Sequence, residues 1–98
     1  MTRAIRIHET GGPEVLKMEE VTVPAPGRGQ VKIRHHAIGL NFIEIYFRKG
    51  AYPAELPFIP GNEGAGEVIA VGKGVEGFKI GDRVAYAALP GSYAEERL

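Results

Sequence analysis

Apolar and polar positions alternate along several stretches of the chain, and the alternation predicts strands. The first is Ala4-Ile5-Arg6-Ile7-His8. Gly11-Gly12-Pro13 then supplies a turn. Val15 to Val23 reads as the partner strand, with Leu16 and Met18 on one face and Lys17 and Glu19 on the other. Pro24 and Pro26 lack the N–H that a ladder needs, so Pro24 to Gly29 is a loop. Gln30 to Ile38 alternates most clearly. Val31, Ile33, His35 and Ala37 share one face, and Lys32, Arg34 and His36 share the other.

The period then changes. Asn41-Phe42-Ile43-Glu44 opens a helix, with Asn41 as N-cap and Glu44 three residues on, as in a capping box. The helix should run to about Lys49 and stop at Gly50. Ile43 and Phe47 would face the core, with Phe42 and Tyr46 on a neighbouring stripe. Pro53, Pro57 and Pro60 keep the next segment irregular, and Tyr52, Phe58 and Ile59 would anchor it.

Glycines punctuate the rest. Gly61, Gly64 and Gly66 leave little bulk ahead of a strand around Val68 and Ala70, which predicts unusual backbone or a close approach there. Gly72-Lys73-Gly74 reads as a hairpin turn, and Asp82 as a turn residue bonding the backbone. Arg83 to Ala88 is a further strand, broken by Leu89-Pro90-Gly91, and Ser92 to Leu98 begins another. A chain stopping inside that strand reads as part of a longer protein. The pattern as a whole is mainly β with one short helix.

Composition narrows the function. At 98 residues, one small domain is expected. Lys plus Arg and Asp plus Glu stand at 12 each, without the basic excess of a nucleic-acid footprint. The absence of cysteine removes disulfides and thiolate metal ligands and fits a cytoplasmic protein. No apolar run is long enough to span a bilayer. Neither nucleic acid nor membrane is an expected partner.

Three motifs then act together. They are Gly61-Asn62-Glu63-Gly64-Ala65-Gly66-Glu67-Val68, Val71-Gly72-Lys73-Gly74-Val75 and Phe78-Lys79-Ile80-Gly81-Asp82-Arg83-Val84. Their combination resembles the medium-chain dehydrogenase/reductase superfamily, and within it the zinc-independent NADPH:quinone oxidoreductases. The resemblance runs the whole chain. It implies a GroES-like, partly open β-barrel with one short helix. Residues 1–98 would be the N-terminal portion of the catalytic domain, and the nucleotide-binding Rossmann domain is absent from this chain. The glycines do not lie between a strand and a helix, so they make no phosphate-binding fingerprint. The portion alone is therefore expected to bind cofactor weakly and turn over nothing. A homodimer contact, as in relatives, would be built by the missing part.

The resemblance also points to a site. Zinc-dependent relatives carry a cysteine after the third strand and a His-Glu pair in the glycine stretch. Here Asn41 and Asn62-Glu63 stand in those places. Zinc needs thiolate or imidazole ligands in number, so no metal is expected. His8, His35 and His36 read as satisfied or solvent-facing. Without a Lewis acid, a quinone is an easier hydride acceptor than an isolated ketone, because it spreads the incoming charge. The resemblance sets Asn41, Phe42, Ile43 and Tyr46 against the nicotinamide of NADPH. Asn41 would cap the helix, bond the cofactor or substrate, or do both. Tyr46 and Tyr52 are the expected catalytic residues, Tyr46 presenting its hydroxyl to the cleft and Tyr52 closing over the substrate. The plainer alternatives are a core aromatic paired with Phe42 and a loop anchor. Glu63 is expected to be buried and structural. Two rivals share these features: an enoyl-thioester reductase with Tyr46 as proton donor, and a non-catalytic GroES-like binding module.

Overall fold

A computed structural model describes residues 1–98. Its elements run β1 (Thr2–Arg6), β2 (Lys17–Val21), β3 (Val31–Ile38), α1 (Ile43–Lys49), β4 (Glu63–Val71), β5 (Arg83–Ala87) and β6 (Glu96–Arg97). β1 and β2 form an antiparallel pair, and the other four strands form a sheet in the order β5-β4-β3-β6. The segment before β6 stitches the two sheets together. Ile5 N–H donates to the Tyr93 carbonyl at 2.8 Å, Glu95 N–H to that of Arg3 at 2.9 Å, and His35 N–H to that of Glu95 at 2.8 Å. The result is a partly open barrel, since β2 and β5 remain unpaired at the two ends.

β1 sits two residues earlier than the alternation suggests. Ile7 falls outside it, fully buried, in an isolated bridge to Phe58 that ties down the proline-rich segment. Val15 is not in a strand. It closes one turn of 3-10 helix begun at Pro13, and its side chain is buried. The expected apolar face of β2 is not buried. Met18, which pairs with Ile5, is 64 % exposed and opens onto a hollow between β1 and β3.

β3 follows its predicted alternation from Ile33 to His36. Ile33 is buried and Arg34 and His36 are exposed. A bulge then intervenes, since His35 pairs with Gly66 and Ala37 with the adjacent Ala65, leaving His36 unopposed. Beyond it Ala37 is exposed instead of sharing the inner face. Gly64 and Gly66 lie inside β4 rather than ahead of it. A Cβ on Gly66 would stand 1.9 Å from the Arg34 carbonyl oxygen, which accounts for the glycine. The Gly72–Gly74 turn is not a tight hairpin. β4 and β5 are joined by residues 72–82, and the turn instead docks on the 27–30 loop through Gly72 N–H to the Gln30 carbonyl. Asp82 Oδ2 accepts from Lys79 N–H at 3.0 Å, as its turn role requires.

Ala4, Ile7, Val15, Ile33, Val68 and Ala94 are the buried apolar residues. The larger ones each contribute ~1.5–3 kcal/mol of burial. Gly50 ends α1 at φ +86°, with its N–H on the Phe47 and Tyr46 carbonyls. The last helical turn carries Arg48 and Lys49 on the favourable end of the dipole.

Candidate functional site

The start of α1 meets the start of β4. The helix begins at Ile43, so Asn41 is not its N-cap, and its side chain caps nothing. Half of the capping box survives, in that Glu44 Oε1 accepts from Asn41 N–H at 3.0 Å. The Asn41 amide is turned the other way, donating through Nδ2 to Glu63 Oε2 at 3.1 Å.

Glu44 is only 5 % exposed, which the sequence reading missed. A buried carboxylate needs donors. It has Asn62 Nδ2 at 3.4 Å and the Tyr93 hydroxyl at 3.3 Å besides Asn41. Burial, with the charge and hydrogen bond of Glu44 behind it, pushes the Tyr93 phenol up to about 12. Two Asn–Glu pairs, Asn41–Glu63 and Asn62–Glu44, therefore lash the helix start to the glycine stretch. Glu63 is exposed rather than buried as the sequence suggested, though it is hydrogen-bonded.

Beside these pairs lies a hollow of about 330 Å³, whose lining includes Leu16, Leu40, Asn41, Phe42, Arg48 and Tyr93. Of the residues expected to touch cofactor, Asn41 and Phe42 line it, whereas Ile43 and Tyr46 do not. They sit on another face of α1, a consequence of the 3.6-residue turn. Phe42 links the two regions. Its ring centroid is 6.4 Å from that of Tyr46, and Tyr46 is 5.3 Å from Tyr52. Phe42, Tyr46 and Tyr52 are 76, 42 and 46 % exposed, so the row lies open at the surface. Tyr46 is thus no core aromatic, although it does pair with Phe42. Tyr52 also packs edge-on against Phe47, at 5.7 Å, and anchors its loop. A larger hollow of about 690 Å³ lies at the β1–β3 seam, rimmed by Met1, Met18, His36 and Ile38, and Asn41 takes no part in it.

No three His, Cys, Asp or Glu side chains converge anywhere in the structure. His35 is satisfied on both nitrogens, His8 faces Glu19 at 2.7 Å, and His36 is exposed near Glu67. No local signal in the sequence could have found Tyr93, which reaches Glu44 across 49 positions.

Residues 27–97 match the family described as the alcohol dehydrogenase GroES-like domain. The chain belongs to that family. This GroES-like domain is 53 % identical, over 97 % of its length, to a protein named quinone oxidoreductase from Pseudomonas aeruginosa. It superposes with a TM-score of 0.94 on a quinone oxidoreductase structure from Pseudomonas syringae, at 49 % identity over 99 % of the chain. A quinone oxidoreductase of Escherichia coli, solved in complex with NADPH, superposes at 0.92 with 44 % identity over 99 % of the chain. In each case the chain spans about 30 % of the relative's length. No helix in the domain is long and apolar enough to cross a membrane.

Proposed function

We propose that the chain is the N-terminal portion of the catalytic domain of a zinc-independent NADPH:quinone oxidoreductase. In this reading a Rossmann domain outside these residues completes the cleft, and the protein works in the cytoplasm as a homodimer. The Asn41–Glu63 pair carries the reading. Where a zinc-dependent relative would offer thiolate and imidazole, this domain offers amides already bonded to carboxylates, a poor donor set for zinc. The likeness to quinone oxidoreductases supports the acceptor class.

The residues fit one end of the cofactor. Asn41 offers an amide, and the exposed Phe42–Tyr46–Tyr52 row offers flat apolar surface to a ring. Nothing here fits the pyrophosphate, because Gly64 and Gly66 lie within a strand and not at a helix N-terminus. Bound NADPH would supply a hydride to a conjugated acceptor. Tyr46 would then donate a hydrogen bond to the acceptor oxygen as it gains charge. Tyr52, stacked against Tyr46, would hold that ring and help to exclude water.

The test is titration of the full-length protein with NADPH and NADH, followed by assay against a panel of quinones and enoyl thioesters. NADPH binding and quinone turnover are expected. Failure to bind either nucleotide would remove the enzyme reading, and turnover of thioesters alone would replace it with an enoyl reductase.

A further inference from the structure

The Asn41–Glu63 contact fixes more than a distance. A carboxylate only accepts hydrogen bonds, so the atom of Asn41 facing Glu63 Oε2 at 3.1 Å must be the N–H₂ group. The carbonyl Oδ1 therefore points elsewhere, and no group of the chain donates to it. Asn41 lines the smaller hollow, and its Oδ1 and one amide N–H are left free for a ligand. Glu63 is itself held in place. Its backbone carbonyl accepts from Gly39 N–H at 3.3 Å, and its side chain packs so closely on Gly39 that a Cβ there would lie 2.5 Å from Cγ, Cδ and Oε1.

We infer that Glu63 is a positioning residue, holding the Asn41 amide with its carbonyl towards the hollow so that Asn41 receives a ligand's primary carboxamide. The inference rests on the cofactor-binding reading above. It favours the cofactor over the substrate as the ligand of Asn41. A quinone oxygen is acceptor-only, so it could take the free N–H of Asn41 but would leave Oδ1 unpaired. A nicotinamide carboxamide carries a donor and an acceptor, which match the oxygen and the free N–H of Asn41. Glu63 touches neither ligand in this arrangement and acts only through Asn41.

The experiment uses the full-length protein and reads NADPH affinity by fluorescence titration, alongside the melting temperature. Glu63→Gln keeps the size of the side chain but can donate as well as accept, so the amide of Asn41 is free to turn over. It should weaken NADPH about five- to tenfold, as the loss of one neutral hydrogen bond does, with the melting temperature kept within a few degrees. Gly39→Ala, which displaces the Glu63 side chain without altering it, should do the same. The KM for the quinone should not move in either variant. A reduced cofactor whose carboxamide is replaced by an acetyl group has no N–H to give. Wild type should bind it more weakly than NADPH, and Glu63→Gln should not weaken it further. Wild-type affinity for NADPH in both variants would overturn the positioning role while leaving the cofactor reading intact. A rise in quinone KM with NADPH affinity unchanged would assign Asn41 to the acceptor instead. A wild-type protein that binds no nucleotide would overturn both.

Discussion

The His35 imidazole and the Tyr86 hydroxyl lie 2.7 Å apart and join β3 to β5. The proton order follows from the other partners. His35 Nδ1 faces the Ala94 carbonyl at 2.7 Å and must donate, so Nε2 is bare and accepts from the Tyr86 O–H. Arg97 Nη1 donates to the Tyr86 oxygen at 3.4 Å, and its guanidinium lies 4.9 Å from the centre of the Tyr86 ring. Burial holds the His35 pKa below its usual value and the Arg97 charge adds to that, while the Ala94 carbonyl opposes it. The unfolded chain therefore takes up this proton first as pH falls. Stability should be complete above about pH 6.5 and decline below it, through the lowered folded value. Urea midpoints at pH 7.5 and pH 5 measure this, and His35→Gln should flatten the difference. Equal slopes in the two proteins would show that His35 is not responsible.

Gly66→Val should unfold the domain or destabilise it by more than ~3 kcal/mol, because the new Cβ enters the Arg34 carbonyl and both partners are strand backbone. A normal melting temperature would refute the close approach.

Tyr93 should be the late-titrating tyrosine. Its phenol keeps its proton to about 12. An unfolded tyrosine loses it near pH ~10, so this contribution to stability disappears as pH rises between those values. Phenolate absorbance should show a step near pH 12 that Tyr93→Phe removes. The same substitution takes a donor from the buried Glu44 carboxylate and should cost ~1–3 kcal/mol.

Tyr46→Phe in the full-length protein should lower quinone turnover ~100-fold or more if its hydroxyl meets the acceptor oxygen. The ring is exposed and keeps its neighbours Phe42 and Tyr52, so stability should change by less than ~0.5 kcal/mol. An unchanged rate would remove Tyr46 from the chemistry.

Much of this was legible along the chain. The helix and its glycine stop follow from spacing and one residue without a side chain, both local properties. So does β3 from Ile33 to His36. Asn41 was found because it stands where a metal ligand would, but its two open roles, cap and ligand contact, look alike in sequence. The choice between them depends on Glu63, 22 positions away.

The amino-acid order thus determined by itself the extension of β3, the short helix and its glycine stop, because those preferences act over a few neighbouring residues. Tertiary structure alone decided that Glu44 is buried and that Glu63 turns the Asn41 amide. Each of these depends on the β3–β4 register and on the segment around Tyr93 crossing to the start of α1. Such long-range pairings come from packing the whole sheet, and no local pattern encodes them.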